Sequence, residues 1–283
     1  MINSKKPRKS AWLFHSVFCI GLLFSGVLTA EAGSSDPEMM DEYQKALALD
    51  WQTEMTDSGT DDWQEQWFLD GKKATIENTP EGMIYTAGPV NKENASHAVL
   101  WTKKEFEGNI KIEFDYMRLD DVFCNVNLLY IQATGIGQGP YDEDISKWSD
   151  LREEPAMGIY LRHMNLYHIS YAAIREKNPP GKQHYVRARY YPVTLSDEHH
   201  GTDYKPDYWD PGVFLTGREY HVTAIKTEKY LFMHVTGDGE DKLFSWDHTR
   251  YPLITEGRVG IRHMAMRSSR YANVKVATSP SSK

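Results

Sequence analysis

From Gln52 onward, apolar side chains recur at every second position in short runs broken by Gly, Pro and Asn. In Asn109–Tyr116, Ile110, Ile112 and Phe114 alternate with Lys111, Glu113 and Asp115. That period belongs to a strand with one face in a core and the other in water. Similar runs include Thr75–Asn78, Met83–Thr86, Ala98–Trp101, Val126–Gln132, Met157–Arg162 and Tyr167–Ile174, then Gln183–Tyr191, Glu219–Thr227, Tyr230–Thr236 and Arg258–His263. Thr236-Gly237-Asp238-Gly239 reads as a hairpin turn. Many short strands of one style predict an all-β sandwich of two antiparallel sheets over residues 51–277. Residues 33–50 supply the single helical segment: Asp36-Pro37-Glu38 opens it, and Met40, Tyr43, Ala46 and Leu47 keep helical spacing. Residues 278–283 are expected to be a disordered tail.

The first 32 residues read as a signal peptide. Lys5, Lys6, Arg8 and Lys9 precede an apolar stretch that ends in Ala30-Glu31-Ala32. Cleavage would leave Cys124 as the one cysteine, so no internal disulfide is expected and the core must carry stability. The expectation is a periplasmic or secreted protein with no membrane span after cleavage. A net charge of −8 argues against a nucleic-acid partner, whose phosphates call for a basic surface. The chain's 8 Trp and 17 Tyr residues fit a β-rich core, and they also fit a cleft in which flat rings stack on sugars.

Four stretches carry a family likeness: GNIKIEFDYMRLDD, LLYIQATGIGQG, MNLYHISYA and EGRVGIRHMAM. In this order they resemble the YesU-like family of bacterial domains of unknown function, over roughly residues 50–277. The most specific parts are Asn165-x-x-His168-x-Ser170-Tyr171 and Gly257-x-x-Gly260-x-Arg262-x-Met264. The resemblance implies a concanavalin A-like jelly roll and, through the namesake's genetic setting, a role in the use of pectin (rhamnogalacturonan). It names no reaction.

The residues favour an exported carbohydrate-active enzyme, with lyase-type β-elimination ahead of glycoside hydrolysis and of glycan binding without catalysis. His168 can exchange a proton near neutral pH, Tyr171 or Tyr130 can deliver one, and Arg262 with Asn165 can neutralise a carboxylate. Together with Asp115 these would serve β-elimination from an acidic polysaccharide, a lyase reaction. Ser170, Arg162, His163, Gln132, Tyr130, His263 and Trp209 are the accompanying candidates for substrate binding. The second chemistry is glycoside hydrolysis by Glu113 and Asp115, which lie two apart and so share one strand face. The third is glycan binding without catalysis. The final strand of a sandwich commonly pairs with an early one, which would place Arg262 and Asp115 in one concave sheet.

Other polar runs read as surface. Leu195–Asp210 carries Asp197, Glu198, His199, His200 and Asp203 without a standard zinc spacing, and reads as a lid. Gly139–Trp148 has alternating acidic residues that can bind calcium or simply form an acidic turn; no cofactor is otherwise expected.

Overall fold

The computed structural model describes residues 36–174, 183–193 and 202–281. The expected signal peptide 1–32, residues 33–35, residues 175–182, residues 194–201 (with Asp197, Glu198, His199 and His200 of the expected lid) and Ser282–Lys283 lie outside the described residues.

Strands numbered in chain order build two antiparallel sheets. One runs β10 (Tyr208–Trp209), β9 (His184–Tyr191), β8 (Met164–Ile174), β7 (Asn125–Gly135), β14 (Glu256–His263), β5 (Ala98–Glu107), β2 (Trp67–Asp70). The other runs β13 (Glu240–Asp247), β12 (Tyr230–Gly237), β11 (Glu219–Lys226), β6 (Asn109–Arg118), β15 (Ser268–Ser279), β4 (Gly82–Thr86), β3 (Thr75–Thr79), and β1 (Gln52–Asp57) also pairs with β15. The predicted sandwich of two antiparallel sheets is the observed fold. Strand β6 shows why: Ile110, Ile112, Phe114 and Tyr116 are buried while Lys111, Glu113 and Asp115 are only partly so. The inward set meets Leu129, Ile131, Tyr167 and Ile169 from the opposite sheet. The β12–β13 hairpin turns through Asp238 and Gly239, both at positive φ, as a two-residue loop twisted with its strands requires.

Helix α1 (Pro37–Leu47) begins where Asp36 accepts a hydrogen bond from the Glu38 amide at 3.1 Å. Its Tyr43 and Ala46 pack on Ile225, Phe232 and Leu243, on the outer face of the β6 sheet.

Two expectations change. Met157–Arg162 is not a strand but most of α2 (Met157–His163). Met157, Tyr160, Leu161 and Met164 recur at helical spacing, and Tyr160, Leu161 and Met164 are buried. Residues 278–280 are also not part of a disordered tail. Strand β15 continues to Ser279, Thr278 pairs with Gln52 and with Ile110, and Asn109 donates to the Pro280 carbonyl at 3.1 Å.

Residues 136–163, between β7 and β8, cross the outer face of the β8 sheet. Ile145, Trp148, Tyr160 and Leu161 pack there on Val99, Trp101, Leu128 and Tyr130, making a second core. Strand β8 is therefore covered on both sides and buried at nearly every position, without alternation. The cover is pinned by Asp70, whose Oδ2 accepts from Arg152 Nε at 2.6 Å, Trp101 Nε1 at 2.7 Å and the Tyr160 hydroxyl at 2.9 Å. Among the described residues no helix is long and apolar enough to cross a membrane.

Candidate functional site

Alternation along β7, β8, β9 and β14 sends one set of side chains to the outer face of their sheet. Registers align them in two rows: Arg262–Leu128–Ser170–Arg187, and Gly260–Tyr130–His168–Arg189. From Arg262 to Arg187 is three strand spacings, about 14 Å. This face gathers Arg262, Tyr130, His168 and Ser170 from the sequence candidates, and Trp209 stands at its β10 edge.

His168 is the centre of this face, and it is closed. It is 1% exposed. Nδ1 is hydrogen-bonded to the Tyr191 hydroxyl at 2.8 Å and Nε2 to the Ser170 hydroxyl at 2.7 Å. The Tyr191 ring also lies beside that of Tyr130, with centroids 6.0 Å apart. Burial first, then the positive fields of Arg189 and Arg187, hold the His168 pKa well below its usual value, so the ring is neutral. A neutral imidazole with both nitrogens engaged fixes the register of β8 and β9. It has no open position for a substrate proton.

The other candidates scatter. Tyr171 points to the inter-sheet core, where its hydroxyl meets that of Tyr271 at 2.7 Å, so it cannot partner His168. His263 is also internal, stacked on Tyr85 with ring centroids 4.1 Å apart and bonded to the Tyr271 hydroxyl at 2.8 Å. Gln132, at positive φ, donates to the Phe106, Gly108 and Thr255 carbonyls and ties strand ends together. Asn165 donates to the Gly135 carbonyl at 3.0 Å. His163 stacks on Tyr141 at 3.7 Å, and Arg162 is exposed on α2.

Asp115 is not in the sheet of Arg262. The strand that closes onto β6 is β15, whereas β14, which carries Arg262, pairs with β5 and β7. Asp115 and Glu113 share the outer face of the other sheet, as their spacing predicted. There Asp115 is held by His221 Nδ1 at 2.8 Å and Asn273 Nδ2 at 2.7 Å, and Glu113 faces Lys111 at 3.4 Å. The acidic turn at 139–148 uses its carboxylates internally: Asp144 caps the Ser146 amide and pairs with Arg258, and Asp142 pairs with Lys147. Among the described residues no group of three or more His, Cys, Asp or Glu side chains is placed to hold a metal ion.

Sequence reasoning passed over the β9 arginines. Arg187 and Arg189 lie two apart in HYVRARYY and share the outer face, a spacing that could have found them. Arg187 makes a two-pronged contact with Asp207 at 3.0 and 2.8 Å, and its guanidinium lies over the rings of Tyr185 and Trp209 at 4.9 and 5.7 Å. Arg189 pairs with Asp203. Beside them Lys205 is exposed and Asp207 and Trp209 are half-buried, so this edge offers solvent an indole, a carboxylate and an ammonium.

Residues 55–276 match the family described as a domain of unknown function, DUF1961. The chain belongs to that family. No curated protein matches it. Among solved structures, this DUF1961 chain is similar to a Bacillus subtilis protein of unknown function with a galectin-like fold, at 18% identity and a TM-score of 0.59, covering 81% of this chain and 99% of that one. It is also similar to lectin II from Ulex europaeus, at 10% identity and TM-score 0.53, over 82% and 100% of the two chains. A third likeness is the exoplasmic/lumenal domain of VIP36 in a form bound to calcium and Man3GlcNAc, at 8% identity and TM-score 0.51, over 82% and 92%. At these identities the likeness is one of fold.

Local geometry accounts for the two motifs. A Cβ on Gly260 would sit inside the Trp101 ring, and Gly257 combines a positive φ with close contact to the Gln132 and Ala133 backbone. Asn165, His168 and Ser170 are internal hydrogen-bonding groups. On this geometry the motifs serve the fold.

Proposed function

We propose that this is an exported, periplasmic or secreted carbohydrate-binding protein, with its ligand on the outer face of the β8 sheet near the β9–β10 edge. The observation that carries binding over cleavage is His168: the one histidine central to that face is buried, neutral and bonded at both nitrogens. The edge supplies what recognition of a sugar needs, an indole for stacking and arginine–carboxylate pairs for hydroxyls. The lectin-like neighbours, one of them a mannose-oligosaccharide complex, support the same reading by fold. The YesU-like resemblance makes pectic polysaccharides the first ligands to try.

The test is affinity electrophoresis and calorimetry against a panel of acidic and neutral polysaccharides, with absorbance near 235 nm and reducing ends followed in parallel. Retention without new products is expected, and Trp209→Ala should weaken it at least tenfold. Accumulating unsaturated or reducing products would overturn the reading. A second reading then takes over, because Glu113 and Asp115 stand side by side on the other outer face. Loss of activity in Glu113→Gln would assign it there.

A further inference from the structure

Buried arginines in this protein come with carboxylates. Arg118 pairs with Asp120 at 3.0 Å, Arg152 with Asp70 at 2.6 Å, Arg187 with Asp207 at 2.8 Å, Arg258 with Asp144 at 2.9 Å and Arg267 with Asp120 at 3.3 Å. Arg262 is the exception among the described residues. It is 0% exposed and makes no ion pair. Nη2 donates to the Pro155 carbonyl at 2.7 Å and lies 3.1 Å from His97 Nδ1, Nε reaches the Met264 sulfur at 3.4 Å, and Nη1 has no hydrogen-bond partner. The guanidinium lies over the Tyr160 ring at 4.5 Å.

The buried carboxylate Asp70 pairs with Arg152 and not with Arg262. Among the described residues Arg262 therefore has no carboxylate within ion-pair distance. His97 adds no counter-charge; burial and Arg262 push its pKa down to about 4, so it stays neutral. A buried cation without a counter-charge is costly to a fold, and replacing it with an apolar side chain of similar volume is commonly harmless to stability. A buried guanidinium with an unpartnered Nη1 and no paired carboxylate points to an anion that arrives from outside. Next to Pro155, at the start of α2, Ala156 and Met157 are half-buried and the helix has no side-chain cap.

Resting on the carbohydrate-binding reading, we propose that Arg262 reads an anionic substituent of the glycan. A carboxylate or sulfate on the sugar takes the place of Pro155 and His97 at the guanidinium as α2 moves aside.

The test compares wild type, Arg262→Met and Arg262→Lys by affinity electrophoresis on polygalacturonate and alginate (uronates), carrageenan (sulfate esters), and xylan and galactan (neutral). Wild type should bind an acidic polymer. Arg262→Met should weaken that binding at least tenfold, leave neutral polymers unaffected and melt no lower than wild type. A loss confined to the uronates identifies carboxylate as the ligand group, and one confined to carrageenan identifies sulfate. Should the Met variant fail to fold, Arg262→Lys decides: it keeps the charge but not the two-pronged geometry, so acidic binding should still fall. The proposal is overturned if either folded variant binds acidic polymers within twofold of wild type, if acidic and neutral binding fall together, or if wild type binds neutral polymers alone. In these cases the binding reading stands. If wild type binds none of the polymers, both readings fall.

Discussion

Removing the Asp70 carboxylate should unseat the segment that covers the β8 sheet. Its Oδ2 accepts from Arg152, Trp101 and Tyr160 within 2.6–2.9 Å, and Asp70 and Arg152 are both fully buried. Asp70→Asn keeps an oxygen for these donors but strips the counter-charge from Arg152, which is left with neutral partners, among them the Trp148 and Ile145 carbonyls at 3.0 and 2.9 Å. Breaking a buried pair from one side costs about 3–5 kcal/mol. Asp70→Ala should cost more, because the indole N–H and phenol O–H also lose their acceptor, at roughly 1–3 kcal/mol each. For a domain of this size each kcal/mol lowers Tm by about 2–4 °C, so Asp70→Asn should melt roughly 6–20 °C lower. Urea denaturation gives the free energy directly, and limited proteolysis should show new cuts between residues 136 and 163. The double variant Asp70→Leu/Arg152→Met, which leaves no orphaned charge, should recover most of the loss. If Asp70→Asn falls within about 1 kcal/mol of wild type, or the double variant is no better than the single one, the ion pair does not anchor the cover as argued.

Two further outcomes follow from the same geometry. His168 is held neutral when folded but takes a proton near pH 6.5 when unfolded; the unfolded state therefore binds more protons below that pH, and stability should fall as pH drops through 6.5 by up to about 1.4 kcal/mol per unit. His168→Gln should make that acid slope shallower by roughly one proton, and coincident slopes would mean that the ring is open to solvent after all. Gly260→Ala should push the Trp101 ring out of place and cost about 1–3 kcal/mol in urea denaturation, with a changed near-ultraviolet dichroism; unaltered stability would contradict the packing described.

The local periods of this chain were legible without tertiary structure. Alternation put Glu113 and Asp115 on one face and set His168 and Ser170 opposite Tyr171, because the two-residue repeat of a strand is a property of the backbone itself. The Asp238-Gly239 turn and the start of α1 at Asp36 are local for the same reason. Helix α2 could have been recognised from Met157, Tyr160, Leu161 and Met164, but its alternating Ile159 and Leu161 compete with that pattern, and its position across a sheet face settles the matter. What each polar group can do was decided elsewhere. Arg262 and Asp115 belong to different sheets because strand partners are chosen by long-range pairing, which no short window records. His168 has the chemistry of an acid or base, yet its charge state is set first by the loss of water around it and then by the β9 arginines near in space. Residue type and period are carried by the chain, whereas solvent access, field and partners come from segments brought together only on folding, and these decide whether a histidine moves a proton or holds two strands in register.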